Sequence, residues 1–427
     1  MIKLINGNQF KVPEKNLITS NTKVQDIVRE IIEDVVSNGD EALIDYTEKF
    51  DGVKLSNIRV PKEEILNAGK RLKAKDQKVL ETAIENIRRF HKKQMASTWK
   101  DCFDDGTELG QIVSPIDRAG IYIPGGRAVY PSSLIMNAVP AQIAKVPSIA
   151  VVSPPQKNGL PHEMILCTCH LLGLDEVYAI GGAHSIAALA YGTKSIEPVF
   201  KITGPGNMYV AEAKRQVFGT VGIDSIAGPS EILILHDDES IPVEYVVRDM
   251  LSQAEHDPEA QSILITTLED FAQKVANRLN EIVPNLPRTE IISESLKNKG
   301  MIIVVEKLEQ GAEIVNKIAP EHFELLVKDE SILSKIRNFG AVFLGKWSSE
   351  PLGDYFAGPN HTLPTNGAAK YASPLGVWDF QKVSSYIRYT KQRLQKEGEM
   401  ISRFAELEEL YAHSEAIKTR LMKWKTC

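Results

Sequence analysis

Cysteine is scarce in this sequence of 427 residues. Four occur, Cys102, Cys167, Cys169 and Cys427, too few for a disulfide scaffold in a chain of this length. Long apolar runs are missing too: nothing approaches the roughly 20 residues that span a bilayer. The opening Met1-Ile2-Lys3-Leu4-Ile5-Asn6-Gly7 is too polar for a signal peptide, so a cytoplasmic, reducing setting is expected. A basic excess is also lacking. Lys and Arg number 50 against 56 Asp and Glu, a net charge of −6, which offers no face to nucleic acid. Apolar residues at 43% and charged residues at 25% exclude disorder and low complexity. The length suffices for two or three domains.

What is present is an alternation of helical and strand-like patterns. Val24, Ile27, Val28, Ile31, Ile32, Val35 and Val36 recur at helical spacing, with Asn21 and Thr22 as caps and Ser37-Asn38-Gly39 as a stop. From residue 119 short apolar runs end in Gly and Pro. Gly120-Ile121-Tyr122-Ile123 precedes Pro124-Gly125-Gly126, and Ile149-Ala150-Val151-Val152 precedes Ser153-Pro154-Pro155. Val177 to Ile180 precedes Gly181-Gly182, and Val199 to Ile202 precedes Thr203-Gly204-Pro205-Gly206-Asn207. Buried parallel strands read this way, with ligand loops at their carboxyl ends. A second series follows at Ile232–Leu235, Ile263–Ile265, Ile302–Val305 and Val342–Leu344. The expected fold is α/β, with two doubly wound units, one inserted in the other. Residues 391–425 form a charged helical tail with Phe404, Leu407, Leu410, Tyr411, Ile417 and Leu421 as a stripe. Lacking a sheet of its own, the tail needs a surface in this subunit or another.

Four segments can carry chemistry. In Ser252-Gln253-Ala254-Glu255-His256-Asp257, Gln253 and His256 share a helix face at i, i+3 and can ligate a metal together, although a histidine at a helix end needs no metal. In Ala319-Pro320-Glu321-His322, adjacent residues of a strand point to opposite faces unless a bend brings both into one cleft, which the proline favours. Together they supply two bases, a carboxylate and an imidazole; alone they also read as a polar strand entrance. Gly353 to Pro364 is a loop whose Asp354 and His361 suit a ligand and a substrate contact, or simple turn chemistry. Glu408 and His413 lie on the tail. Two decoys stand beside these. Cys167-Thr168-Cys169-His170 has no common zinc spacing and is expected in the core, and Gly204-Pro205-Gly206-Asn207 lacks the spacing of a dinucleotide fingerprint.

Taken in order, these segments resemble the histidinol dehydrogenase family over nearly the whole chain. The resemblance rests on Gly120–Gly126, Thr203–Asn207, Ala227–Glu231, Ser252–His256, Ala319–His322 and Gly353–Pro364. It implies a cytoplasmic homodimer that oxidises L-histidinol through L-histidinal to L-histidine, with zinc and two successive NAD, in the last two steps of histidine biosynthesis. It implies two Rossmann-like domains: an arm at 1–20, a first domain at 21–121 and 230–372, a second at 122–229, and a tail at 373–427 packed on the partner. Zinc falls to Gln253, His256, Asp354 and His413, and the acid–base pair to Glu321 and His322. Ser230, His361 and Glu408 join the ligands and His322 around the substrate, and Tyr122 and Asn207 meet NAD. One position departs: the family's NAD-touching Gln is His184 here, which is expected to keep a hydrogen bond to a ribose or phosphate oxygen with altered affinity. A related dehydrogenase of sulfonated diols is set apart by Glu408, His361 and Leu363-Pro364-Thr365. A zinc hydrolase would leave the Pro124 and Gly204 loops without a ligand.

Overall fold

The computed structural model describes residues 2–11, 22–125, 129–226 and 228–422. The cap Asn21, most of the expected arm, Gly126, Ala227 and Cys427 lie outside them. The strands, in chain order, are β1 (Lys3–Asn6), β2 (Trp99–Cys102), β3 (Glu108–Pro115), β4 (Arg118–Tyr122), β5 (Ser148–Val152), β6 (Val177–Tyr178) and β7 (Lys201–Thr203). They continue with β8 (Gly222–Ile223), β9 (Glu231–His236), β10 (Gln261–Thr266), β11 (Met301–Val304), β12 (His322–Leu326), β13 (Ala341–Leu344) and β14 (Gln381–Arg388).

Two parallel sheets carry the first compact unit, residues 1–94 and 116–380. One has the order β6-β5-β4-β7-β8, the other β1-β11-β10-β9-β12-β13. In each, the first strand after the crossing, β4 or β9, has later strands added on both sides. That is the doubly wound pattern, as expected, and it creates a crevice beside that strand. All five residues of β4 are buried, and Ile232 to Leu235 of β9 are inaccessible, which explains their unbroken apolar sequence.

Residues 2–11 are not an arm. β1 pairs with β11 from Lys3↔Met301 to Asn6↔Val304 and extends the six-stranded sheet. Residues 22–91, expected with 230–372, instead share the core of the five-stranded sheet: Val28, Val35, Ile65 and Ile87 cluster with Ile121, Leu134, Val151 and Ile186. The reason lies in that sheet's own helices. Every residue from Ser133 to Ala141 of the Pro131–Ile143 helix is buried, as is every residue from Ala183 to Ala190 of the Gly182–Tyr191 helix. Helices apolar on all sides need a further layer, and Thr22–Asn38, Lys62–Arg71 and Ala74–His91 provide it. Cys167 and Cys169 lie buried on the Glu163–Leu172 helix in this core, as core packing requires.

The second compact unit joins residues 95–115 to 381–427. The tail does have a sheet. β14 runs antiparallel to β3 from Gln381↔Pro115 to Arg388↔Glu108, and β2 pairs on the other side of β3. Its helix is also two helices, Lys391–Leu407 and Tyr411–Leu421, broken where Glu409 takes φ +59°. They fold back on one another: Ser402 and Ser414 share a 2.6 Å hydroxyl contact, and Lys418 donates to Glu406 at 2.7 Å. Met400, Phe404, Leu407 and Tyr411 remain about two-thirds exposed. Among the described residues no helix is long and apolar enough to cross a membrane.

Candidate active site

The chemistry-bearing residues gather at the amino ends of β9 and β12. A left-handed Ala319, φ +56°, ends the Leu308–Ile318 helix abruptly, a costly conformation for a residue with a Cβ. Pro320 follows, and the chain bends at Glu321 before β12 begins. The turn is tight against Gly340, where a Cβ would come within 2.6 Å of the Glu321 carbonyl oxygen. This bend lets neighbours on a strand share one cleft. Glu321 Oε2 accepts from Glu231 N at 3.0 Å, and His322 Nδ1 lies 3.1 Å from Glu231 O and 3.8 Å from Glu321 Oε2.

Opposite them runs the short Glu350–Tyr355 helix. Asp354 Oδ1 is 3.6 Å from His322 Nε2 and 3.9 Å from His361 Nδ1, while the Asp354 carbonyl meets His361 Nδ1 at 2.9 Å. His361 Nε2 is 3.5 Å from Ser133 Oγ, at the start of the helix that follows β4. Donor atoms of His256, Glu350 and Asp354 all lie within 4.8 Å of one another. Gln253 stands one turn before His256 at the end of the Val243–Ala254 helix. Its side chain is wholly buried, and neither amide atom has a hydrogen-bond partner, an expensive state for a carboxamide. A cavity of about 230 Å³ opens beside these groups, lined by His322, Asp354 and His361 among others.

Charge dominates the electrostatics. Desolvation pushes Glu321 up to about 7. Burial alone would lower His322, but the Glu321 and Asp354 carboxylates outweigh it and raise the imidazole to about 10. Burial opposes ionisation of Asp354, yet the neighbouring imidazoles, His322 foremost, hold it below the usual carboxylate range. His256 is open at the mouth of the cleft, although the walls desolvate its ring enough to lower it. Behind this row lie three more acids. Burial and Asp354 raise Glu350 to about 7, burial raises Asp249 to about 6, and burial with Asp249 raises Glu324 well above the carboxylate range. Glu350 accepts from Ser252 Oγ at 2.8 Å, and Glu324 from Glu350 N at 3.0 Å. Sequence reasoning passed over Glu350 and Glu324. The signals were there: Glu350 is one helical turn before Asp354, and Glu324 is on the same strand face as His322.

Ser230 immediately precedes β9. Glu408 and His413 are exposed in the second compact unit, at the end of one tail helix and the first turn of the next. Tyr122 and Asn207 lie at the carboxyl ends of β4 and β7, the strands flanking the crevice of the five-stranded sheet. Burial pushes the Tyr122 hydroxyl up to about 12. Asn207 caps the Met208–Val217 helix, accepting from Tyr209 N at 3.0 Å and Val210 N at 3.2 Å. His184 departs from expectation. Its side chain is inaccessible, 3.3 Å from Thr47 Oγ1 and stacked on Tyr46 at 5.8 Å. An aromatic ring packs well between these helices, and the imidazole is drawn inward, with no surface left exposed.

Two doubly wound parallel sheets meeting at a cleft of paired carboxylate and imidazole groups are the frame of an α/β oxidoreductase. The family model for histidinol dehydrogenase matches residues 15–421. Histidinol dehydrogenases of Bacillus licheniformis and Halalkalibacterium halodurans are 47% and 48% identical, each over 98% of this chain and 98% and 99% of their own. The crystal structure of histidinol dehydrogenase from Elizabethkingia anophelis superposes with a TM-score of 0.91 at 37% identity, covering 98% of both chains. The chain belongs to the histidinol dehydrogenase family, the oxidoreductases of the final steps of histidine biosynthesis.

The buried His184 makes a pH prediction. Desolvation lowers it to about 3 in the fold, whereas the unfolded imidazole titrates near 6.5. Below about pH 6.5 the unfolded chain therefore binds the extra proton, and stability falls as pH drops towards 3. From pH 7.5 to 5 this residue should cost about 2 kcal/mol. Urea titrations should show His184→Gln losing that much less than the wild type, with His236, lowered by burial to about 4, acting alike in both. Identical acid sensitivity would contradict this role.

Proposed function

We propose that this chain is a zinc- and NAD-dependent histidinol dehydrogenase that takes L-histidinol through L-histidinal to L-histidine, in the cytoplasm, as a homodimer. The observation that carries the reading is the meeting of His256, Glu350 and Asp354 donors within 4.8 Å beside the Glu321–His322 pair. The residues fit a metal. Gln253 presents a buried, unpartnered amide oxygen, and His256 and Asp354 add nitrogen and oxygen donors of the kind zinc takes. Gln253, His256 and Asp354 would hold the ion with His413, and the ion would orient the substrate's nitrogens while offsetting the carboxylates that otherwise keep His322 protonated.

The protein's own groups then divide the work. His322, relieved of its proton, accepts the alcohol proton as hydride leaves the substrate carbon. Nicotinamide, when bound, takes up that hydride. Glu321, fully buried and held by Glu231 N, accepts a proton from water as it attacks the aldehyde carbon. The hydrated aldehyde would then give a second hydride to a second oxidised dinucleotide exchanged for the first. His322, again neutral after releasing its proton to solvent, accepts the hydroxyl proton, and the acid so formed ionises to the carboxylate. Ser230, His361 and, from the tail, Glu408 would position the substrate. Support for the cofactor side comes from Tyr122 and Asn207 at the crevice of the five-stranded sheet, where dinucleotides bind in such folds.

Dimerisation is supported by the exposed apolar residues Met400, Phe404, Leu407 and Tyr411 of the tail helices, the kind of side chains that contact surfaces bury. His413 also belongs to a different compact unit from the other three ligands. We infer that each site takes His413 and Glu408 from the partner.

Three measurements test the proposal. His256→Ala should lose zinc, read by elemental analysis, and both oxidation steps, while NADH binding persists; full zinc content would refute the ligand set. Glu321→Gln should slow histidinal oxidation about a hundredfold more than histidinol oxidation, the lower end of what one positioned base contributes, whereas His322→Asn should slow both. Equal slowing of the two steps by Glu321→Gln would remove the division of labour. Finally, His256→Ala and His413→Ala proteins, unfolded together and refolded, should recover roughly a quarter of wild-type activity, since half the dimers are mixed and each has one intact site. An inactive mixture would mean that the tail serves its own subunit.

A further inference from the structure

Lys214 is among the most deeply buried charges in the protein, with a side chain 3% exposed beside an Asp224 carboxylate that is 4% exposed. The two form an ion pair. Burying such a pair gains little stability over apolar residues of similar size, so its geometry is informative. Both partners converge on one residue, Gly204. Lys214 Nζ donates to the Gly204 carbonyl at 3.1 Å, and Gly204 N donates to Asp224 Oδ2 at 2.8 Å. Asp224 is itself fixed, since its N donates to Ile202 O at 3.2 Å and its Oδ1 accepts from Ser225 N at 2.7 Å.

Gly204 needs holding. Its φ is +118°, and a Cβ there would overlap the Tyr122 carbonyl, so no other residue fits. Glycine also has the least intrinsic preference for any one conformation. The peptides on either side of Gly204 are therefore oriented from outside, one through its N–H and the other through its C=O. The loop they set in place is Pro205-Gly206-Asn207, lying against Tyr122. Lys214 reaches it from two turns along the helix that Asn207 caps, a side-chain direction natural to helices.

We propose that Lys214 and Asp224 are positioning residues for the dinucleotide: the buried pair pre-shapes the Gly204–Asn207 loop so that cofactor binding need not order it. This rests on the reading of Tyr122 and Asn207 as the cofactor contacts. Neither charge touches the metal and acid–base cleft, so the effect is confined to the cofactor.

The test uses the zinc-loaded full chain and compares KM for NAD, KM for histidinol, kcat, zinc content and the Kd for NADH from fluorescence. Lys214→Met with Asp224→Asn removes both charges together and leaves no unpaired ion. It should raise the KM for NAD and the Kd for NADH about tenfold, the cost of ordering a short loop on binding. At saturating NAD, kcat, KM for histidinol and zinc content should stay within about twofold. Asp224→Glu keeps the charge balance but draws the carboxylate away from Gly204 N, and should shift NAD in the same direction. A folded variant with unchanged NAD parameters overturns the proposal, and so does a parallel decline of NAD, histidinol and zinc binding. Failure of both variants to fold would make the pair a stability element and overturn it as well. Asn207→Ala separates the two readings. If it weakens NADH binding and the pair's variants do not, only the pair's role fails; if it leaves NADH binding unchanged, the cofactor site itself has been misassigned.

Discussion

Negative charge held out of water is the constraint around which the rest of this structure is arranged. Glu321, Glu324, Glu350 and Asp354, with Asp249 behind them, crowd one cleft in which the imidazoles of His322, His361 and His256 are the groups that face Asp354. Carboxylates in such surroundings either take up protons or recruit a cation. Both responses are visible: Glu321, Glu324, Glu350 and Asp249 are pushed up, and Asp354 stays ionised by sharing the fields of His322, His361 and His256. Gln253 completes the picture from the neutral side, with an amide oxygen that only an approaching donor or cation would satisfy. The same crowding lifts the His322 imidazole to about 10, far above its ordinary range.

The two sheets divide the labour through connectivity. Glu231 and the Glu321–His322 pair stand at the amino ends of β9 and β12, whereas Tyr122 and Asn207 stand at the carboxyl ends of β4 and β7, so the two groups of residues come from different sheets. The layer of helices from 22 to 91 makes this possible. It seals the all-apolar helices of the five-stranded sheet and leaves that sheet's loops free of packing duty.

Much of this was readable in the residues. Short apolar runs closed by Gly and Pro marked the parallel strands, because buried strands tolerate few polar residues and their ends must turn. The bend at Glu321 followed from the proline before it. Other features depend on partners distant in sequence. Residues 22–91 look like generic amphipathic helices, and nothing local says which sheet they cover. β14 pairs with β3 across more than 250 residues, and Val383 and Ile387 are exposed, so no strong alternation announced a strand. The helix break at Glu409 lacks glycine or proline. His184 invited a reading as a cofactor contact because it stands where the family carries a Gln; its burial beside the rings of Tyr46 and Phe50 depends on a helix distant in the sequence and could not be read locally.

The opposed orientation of the sheets has an electrical consequence. Helices leave a parallel sheet from the carboxyl ends of its strands and return to the amino ends. The Gly182–Tyr191 and Met208–Val217 helices therefore turn their amino termini toward the Tyr122 side, while Val243–Ala254 and Leu308–Ile318 bring their carboxyl termini to the His256 and Glu321 side. Each terminus carries about half an elementary charge, positive at the amino end and negative at the carboxyl end. The cleft is thus a built-in dipole, positive on one wall and negative on the other. An anionic group is therefore favoured at the first wall and a cationic one at the second, independently of the side chains on either.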